Sequence, residues 1–326
     1  MAKQEFSIPA LMAEVPTEAD AYLMLERLRW DGEPVCSHCG TVGRAYFLNP
    51  ANGTSRKTRT GALSHRRVWK CGACRKQFSV LTGTVFHGSK IPLRTWLFVI
   101  FEMCASKNGV AAREIERKYD LTPKSAWFML HRIREAMKRE PLAGLLRGTI
   151  VADETYIGGS PKNRHRKAFE VGQTVGRGTE KTPVLSLVDT ATGEVRSRVM
   201  NDVSGATLRA AIAENVAMKG STLHTDKWGG YLHLGREFDS HITVDHGSGE
   251  YVRDGAGTNA AENFFSQLKR SIDGTHHHVS TEHLGRYLAE FDFRATTKDA
   301  SDSQRMRAVV ANAGARRLTF RPLTGE

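Results

Sequence analysis

The chain has 326 residues, of which 40% are hydrophobic and 25% are charged, as in an ordinary folded protein with two or three domains. Lysine and arginine outnumber aspartate and glutamate by 47 to 35, and this net charge of +12 favours a polyanionic partner, because each neutralised phosphate releases counterions. The most apolar stretch, residues 96–105, is too short for a membrane-spanning helix, and no signal peptide is visible, so we expect a cytoplasmic protein.

The N-terminal segment, residues 1–33, is predicted to be a helical lead-in. Residues 18–30 place leucine and tyrosine side chains at helical spacing, and Asp31-Gly32 breaks the pattern.

Residues 34–82 are predicted to form a zinc ribbon. The four ligands come from two Cys-x-x-Cys pairs, Cys36 with Cys39 and Cys71 with Cys74. Two such pairs supply the four thiolates of a closed tetrahedral zinc site, which is structural because no position is left for water. The 31 residues between the pairs exceed the compact zinc pattern, so a loop or hairpin is expected there. The alternatives are four free cysteines or a redox pair.

Residues 83–145 are predicted to be a helical DNA-binding segment. Residues 111–137 read as helix, turn and helix, with Thr122 capping a second helix that begins at Pro123. Basic side chains here could reach phosphates; those selected are Arg113, Lys118, Lys124 and Arg132. The alternative is a helical pair whose charges are only solvated.

Residues 146–297 are predicted to form a mixed α/β domain. Short β-rich runs, a helix over 206–218, a strand over 221–225 and helices over 259–272 and 280–293 follow one another. The remaining residues, 298–326, are rich in arginine and are predicted to be a basic C-terminal tail.

Three carboxylates in this domain suit divalent-metal chemistry. Phosphoryl transfer with two metal ions needs carboxylates from separate elements that converge. Asp153 lies in the first strand and Asp226 at the end of a later strand, whereas Glu262 opens a helix, with 35 residues between it and Asp226. Because side chains alternate along a strand, Asp153 and its neighbour Glu154 point to opposite faces, so only one of them can join the site.

The third carboxylate, Glu262, has a second interpretation. Asn259 and Glu262 match a helix capping box, which would also place Glu262 in the first turn. Lys269 lies two helical turns from Glu262, within about 20° of the same face, where it could contact a phosphate near the metals.

Several motifs resemble the bacterial insertion-sequence transposases that join a zinc ribbon to a DDE catalytic domain. They are VADETYIGG, HTDKWGGY, GTNAAENFFSQLKRSIDGTHHHVS and HLGRYLAEFDFR, with LERLRWDGEPVCSHCG and WKCGACRKQFSVLTGTVF in the ribbon. The resemblance covers about residues 15–297. It implies an RNase H-like fold, Mg²⁺ or Mn²⁺ dependence, and Asp153 and Asp226 as metal ligands.

The resemblance leaves the third ligand open, because the family carries either Glu or Asn in that region. Glu262 is preferred over Asn259, since its charge suits a hard cation and Lys269 is in phase with it. Arg270 is added as a candidate DNA contact. His276 stands where Tyr is common, and the roles of His277 and His278 stay open between a DNA contact and packing.

The resulting hypothesis is a DNA transposase that binds the ends of its element, cleaves them and transfers the strands to target DNA, in a nucleoid-associated dimer or higher oligomer. Two alternatives are a DNA-binding regulator with an inert RNase H-like domain and a nuclease of the same fold.

Overall fold

The computed structural model describes residues 7–48, 56–57, 61, 63–138, 144–158, 181–227, 229–231, 233–244 and 257–320. The chain divides into two compact units. The first comprises residues 1–137 with 299–326, and the second comprises residues 138–298. No helix within the described ranges is both long and apolar enough to cross a membrane.

The first unit begins with two helices, α1 (Ile8–Glu14) and α2 (Glu18–Trp30). A capping box starts α2: the Thr17 hydroxyl accepts from the Asp20 N–H, and the Asp20 carboxylate accepts from the Thr17 N–H. The helix ends at Asp31, whose φ of +46° is left-handed. The predicted helix over residues 18–30 is therefore confirmed.

Short strands follow α2 and carry the cysteine pairs. They are β1 (Ala45–Phe47), β2 (Arg56–Lys57), β3 (Leu63–Ser64), β4 (Trp69–Cys71) and β5 (Gln77–Phe78). The first, fourth and fifth form an antiparallel sheet in the order β1-β4-β5, and β2 pairs with β3 as a separate antiparallel pair. This pair lies between the two cysteine motifs, where a loop or hairpin was expected.

Four more helices complete the first unit: α3 (Leu93–Ala105), α4 (Ala112–Tyr119), α5 (Pro123–Met137) and, after the second unit, α9 (Asp302–Ala311). A three-residue turn joins α4 to α5, and the Thr122 hydroxyl accepts from the Ser125 N–H, as predicted for the start of α5.

The C-terminal segment, expected only as a basic tail, contains α9. Its side chains Met306, Val309 and Val310 are buried, and the helix packs against α2, α3 and α5. Two arginines of this segment, Arg305 and Arg307, lie in the same helix, and the spacing of Met306, Val309 and Val310 gives the helix one apolar face.

The second unit is built on a five-stranded mixed sheet. Its strands are β6 (Leu146–Ile157), β7 (Thr182–Asp189), β8 (Val195–Val199), β9 (Val216–Asp226) and β10 (Ser240–Val244), in the order β10-β9-β6-β7-β8. The β6-β7 and β7-β8 pairs are antiparallel, whereas β6-β9 and β9-β10 are parallel.

Helices cover both faces of this sheet. They are α6 (Gly205–Ala213), α7 (Asn259–Ser271) and α8 (Thr281–Thr296). One buried cluster joins Val151 and Ile157 of β6 to α7 and α8, and another joins Ile150 and Ala152 to α6 and the segment after β9. The alternation of β6 thus separates two cores, and the layered sheet confirms the predicted RNase H-like α/β fold class.

One local expectation was wrong, and one strand was missed. The helix predicted over 206–218 ends at Ala213, because Val216 already pairs with Leu146 and starts β9. The five-residue strand β10 was not predicted; its residues pair with Thr222–Asp226 of β9, a partner distant enough in sequence to leave no local signal.

Candidate functional site

The four cysteines of the two motifs converge on one point. The sulfur atoms of Cys36, Cys39, Cys71 and Cys74 all lie within 4.8 Å of one another. The Cys36–Cys74 and Cys39–Cys71 Sγ–Sγ distances are both 3.7 Å. A tetrahedral zinc ion with Zn–S bonds of about 2.3 Å requires sulfur atoms about 3.8 Å apart. The residues therefore fit a structural zinc ion.

The two cysteine motifs adopt the same backbone conformation. Cys36 N–H donates to the Thr41 carbonyl at 3.0 Å, and Cys71 N–H donates to the Lys76 carbonyl at 3.0 Å. The residue after each second cysteine is left-handed, with φ of +73° at Gly40 and +62° at Arg75. A left-handed conformation is natural for glycine and strained for arginine. The second motif therefore folds at a cost that the first avoids.

A buried glutamate of α2 joins that helix to the ribbon, and no sequence pattern pointed to it. Glu26 is 9% exposed and accepts from the Arg67 guanidinium Nε at 2.7 Å and from the Trp69 indole N–H at 2.8 Å. The Trp69 ring packs edge-on against Trp30, with the centroids 5.8 Å apart. Glu26 and these aromatic rings therefore fix the ribbon against α2.

In the second unit, the sheet separates Asp153 from its neighbour Glu154, as alternation predicted. Asp153 shares the face of Val151 and Ile157, which pack under α7, whereas Glu154 shares the opposite face with Ala152. Asp153 is therefore the β6 carboxylate on the face of the sheet that α7 covers.

Asp226 reaches the same face from the neighbouring strand. In the parallel pair of β6 and β9, Val151 lies beside His224. Two residues further along each strand, this register leads to Asp153 on β6 and Asp226 on β9. Neighbouring strands are about 4.8 Å apart, and residues two apart share a face. Asp226 ends β9, beside Val244 at the end of β10.

Glu262 comes from α7, which packs on β6 and β7. The predicted capping box is wrong: α7 is capped at Thr258, with Asn259 as its first residue, and no side-chain capping hydrogen bond forms there. Instead, the Thr258 hydroxyl donates a long hydrogen bond of 3.5 Å to Glu262 Oε1. Because the helix starts one residue earlier than expected, the Glu262 carboxylate is not engaged in a reciprocal cap.

The electrostatics of Asp153 link these carboxylates. The pKa of Asp153 is raised to about 7: burial is the largest cause, the hydrogen bond from the Glu154 N–H opposes it, and the negative charges of Glu154, Asp226 and Glu262 add to it. Like charges this near one another favour a bound cation, and carboxylate oxygens are hard ligands suited to Mg²⁺. Among the described residues, however, the four cysteines are the one group of three or more His, Cys, Asp or Glu side chains that lie close enough together to hold a metal ion.

The other residues selected on and after α7 lie at the surface or in packing positions. Asn259, Lys269 and Arg270 are exposed. The His276 ring packs edge-on against Tyr287, with the centroids 4.8 Å apart, which gives it a packing role. His277 and His278 are exposed.

On α4, two of the predicted DNA contacts already form ion pairs. Arg113 pairs with Glu116 at 3.0 Å, and its side chain is 77% exposed. Lys118 pairs with Glu114 at 2.7 Å and Glu102 at 2.9 Å, and hydrogen bonds to these carboxylates raise the pKa of Lys118. Surface ion pairs of this kind contribute little to stability.

The two candidates on α5 differ sharply. Lys124 is exposed, with its ammonium 4.1 Å from the centroid of the Phe320 ring. Arg132 is only 4% exposed; its guanidinium donates to the His87 carbonyl at 2.6 Å and stacks over Trp96 at 5.2 Å. Arg132 therefore stabilises the interior, and the prediction that it contacts DNA is not retained.

Comparison with known proteins agrees with this organisation. Residues 145–296 match the model of the ISXO2-like transposase domain, and residues 16–77 match that of the transposase zinc-ribbon domain. The chain belongs to the insertion-sequence transposases with an N-terminal zinc ribbon. The ribbon match begins at residue 16 and so includes α2, in keeping with the attachment of that helix to the ribbon through Glu26.

Individual relatives are more distant. A protein of Halobacterium salinarum, described as an uncharacterized protein in transposable element ISH50, is 25% identical over 305 residues, covering 91% of this chain and 97% of its own. A cryo-EM structure of the simian T-cell lymphotropic virus intasome with the PP2A regulatory subunit B56 gamma is 16% identical, with a TM-score of 0.26. That match covers 55% of this chain and 63% of the matched chain, and so low a score carries no argument.

Proposed function

We propose that this transposase cleaves DNA at the ends of its element and joins the released strands to target DNA, with Asp153, Asp226 and Glu262 as the ligands of divalent metal. The observation that supports the proposal is that Asp153 of β6 and Asp226 of β9 share the face of the sheet that is covered by α7, the helix that carries Glu262. Asp153 responds to the charges of the other two.

The residues divide the work between metal binding and DNA binding. Divalent cations bound there would activate water or a 3′-hydroxyl and stabilise the departing 3′-oxygen. The carboxylates hold them only when deprotonated, so Asp153, with its pKa near 7, loses its proton on binding. Lys269 stands on the exposed side of α7, two turns beyond Glu262, where its ammonium would bind a phosphate of the scissile strand.

Recognition of the element ends is assigned to the first unit. Arg113 and Lys118 on α4 and Lys124 on α5 carry exposed positive charges. Arg270 extends the basic surface of α7 beside Lys269. Because joining two ends requires two active sites, the working complex is a dimer or a larger assembly on DNA.

The test is an assay for metal-dependent cleavage and joining of DNA that carries the element ends. Wild type should produce both products with Mg²⁺ or Mn²⁺ and neither without it, and Asp153→Asn should abolish both while DNA affinity is retained. Binding without any chemistry would instead identify a regulator, and cleavage without joining a nuclease.

The third ligand is tested separately. Glu262→Gln should reduce joining at least as strongly as Asp153→Asn, whereas Asn259→Ala should retain most of the activity, because an amide binds a hard cation less well than a carboxylate does. The reverse order would assign the position to Asn259.

A further inference from the structure

Near the three carboxylates, a buried tyrosine donates a hydrogen bond to Glu154, which is not one of the proposed metal ligands. Tyr231 is 0% exposed and ends a short 3-10 helix, Gly229–Tyr231, five residues after Asp226. Its hydroxyl donates to Oε1 of Glu154 on β6. This bond links the segment that follows Asp226 to the strand that carries Asp153.

Glu154 in turn contacts Asp153. The two residues are adjacent in β6 and lie on opposite faces, and the Glu154 N–H donates to Asp153 Oδ1 at 2.8 Å. Holding the Glu154 side chain therefore fixes the peptide whose N–H orients the Asp153 carboxylate. One residue touches both Tyr231 and Asp153.

The tyrosine end of the link is held by packing. Its ring belongs to the buried cluster under α6, with Leu208 and Leu223. Gly205 at the start of α6 lies so close that a Cβ there would be 2.9 Å from the Gly230 carbonyl oxygen. Real Cβ atoms do not come that close, so Gly205 lets α6 pack directly on the 3-10 helix.

The tyrosine also remains a donor across the pH range of any assay. Burial, followed by the charge of Glu154 and its hydrogen bond, raises the pKa of Tyr231 well above its ordinary value. The hydroxyl therefore keeps its proton, and the link to Glu154 persists.

We propose that Tyr231 is a positioning residue, which acts through Glu154 to hold the Asp153 strand and the Asp226 segment in the arrangement that binds divalent cations. This inference rests on the proposed metal site. Hydrogen-bond partners of this kind orient metal ligands, and their loss lowers metal affinity by about 10- to 100-fold.

The experiment measures Mn²⁺ binding to the zinc-loaded full chain without DNA, by titration calorimetry or electron paramagnetic resonance. Asp153→Asn should abolish binding at this site, and Tyr231→Phe should weaken it about 10-fold or more. The matched control is Tyr119→Phe, which removes a hydrogen bond of 2.6 Å to Glu102 in the first unit and should leave Mn²⁺ affinity unchanged.

Two further variants keep the test decisive if Tyr231→Phe folds poorly. Glu154→Gln keeps an oxygen that accepts from Tyr231 and should bind Mn²⁺ within about threefold of wild type, whereas Glu154→Ala should match the tenfold loss expected for a positioning partner. A Glu154→Gln loss equal to that of Asp153→Asn would make Glu154 a ligand and overturn the positioning role.

The inference and the function on which it rests fail in different ways. Wild-type affinity in a folded Tyr231→Phe variant would overturn the inference and leave the metal site standing. No Mn²⁺ binding by wild type would overturn both.

Discussion

The hydrogen bonds of Glu26 give a quantitative test of how the ribbon is attached to α2. The perturbation is Glu26→Ala, which removes the carboxylate that accepts from both Arg67 and Trp69. Glu26→Gln keeps one neutral acceptor in nearly the same volume. The matched control is Glu14→Ala, because Glu14 forms an exposed ion pair with Arg27 nearby in the same unit.

The magnitude follows from the two donors. A hydrogen bond to a charged group contributes about 1.5–3 kcal/mol, and a buried donor left without its acceptor loses a similar amount. The Arg67 side chain is 28% exposed, so water replaces part of what it loses, whereas the Trp69 indole depends on Glu26 more fully. We expect Glu26→Ala to cost about 2–4 kcal/mol, Glu26→Gln about 1–2 kcal/mol, and Glu14→Ala under about 0.5 kcal/mol.

The assay is urea unfolding of the zinc-loaded chain, followed by zinc release to a chromogenic chelator. Zinc release reports the ribbon directly, so unfolding of the second unit does not enter the signal. The same preparations must hold about one zinc ion per chain, as four thiolates predict. A Glu26→Ala cost within about 0.5 kcal/mol of the Glu14→Ala cost, or a Glu26→Gln cost equal to that of Glu26→Ala, would refute the reasoning.

The remaining predictions concern pH, backbone strain and DNA binding. Because the folded-state pKa of Asp153 is raised to about 7, its contribution to stability is present below its ordinary pKa and is lost as the pH rises through 7. In Mg²⁺-free buffer, the wild type should therefore lose about 2–3 kcal/mol of stability relative to Asp153→Asn between pH 5 and 8 in thermal melts, because pH 5 lies about two units below the raised pKa. A difference that does not change with pH would contradict the raised pKa. Arg75→Gly should stabilise the zinc-bound ribbon by about 0.5–1 kcal/mol, because glycine adopts the left-handed φ of this position without strain, and Gly40→Ala should destabilise the ribbon. Zinc release that both variants change in the same direction would exclude backbone strain as the cause. In salt titrations of DNA affinity, Lys124→Ala should lower the slope by about one with an unchanged melting temperature. Arg132→Ala should lower the melting temperature and leave the salt slope of DNA affinity unchanged. A lower slope at an unchanged melting temperature would restore Arg132 as a DNA contact.

The sequence alone determined the features that depend on local spacing. Two Cys-x-x-Cys motifs specify four converging thiolates, because each motif forms a turn that brings its two sulfurs together. The alternation of β6 likewise placed Asp153 and Glu154 on opposite faces before any partner strand was known. The helix start at Thr122 before α5 was predicted correctly for the same reason, whereas the capping box predicted at Asn259 was wrong.

Features that depend on distant partners were decided only by the tertiary structure. Arg132 and Lys124 lie on one helix and look equivalent in sequence, yet Arg132 is buried between His87 and Trp96 while Lys124 is exposed. Whether a charge faces solvent depends on what packs against its helix, which spacing does not encode. Glu26 falls in the same class, since its partners lie more than 40 residues away.

The carboxylate cluster combines both kinds of information. Sequence order and family resemblance selected Asp153, Asp226 and Glu262, whereas the parallel register of β6 and β9 decided that the two aspartates share a face. The fold also added the bond from Tyr231 to Glu154, which no motif predicted. Sequence order and resemblance thus named the candidate ligands, whereas long-range strand pairing, which fixes distances between segments far apart in the chain, decided their surroundings.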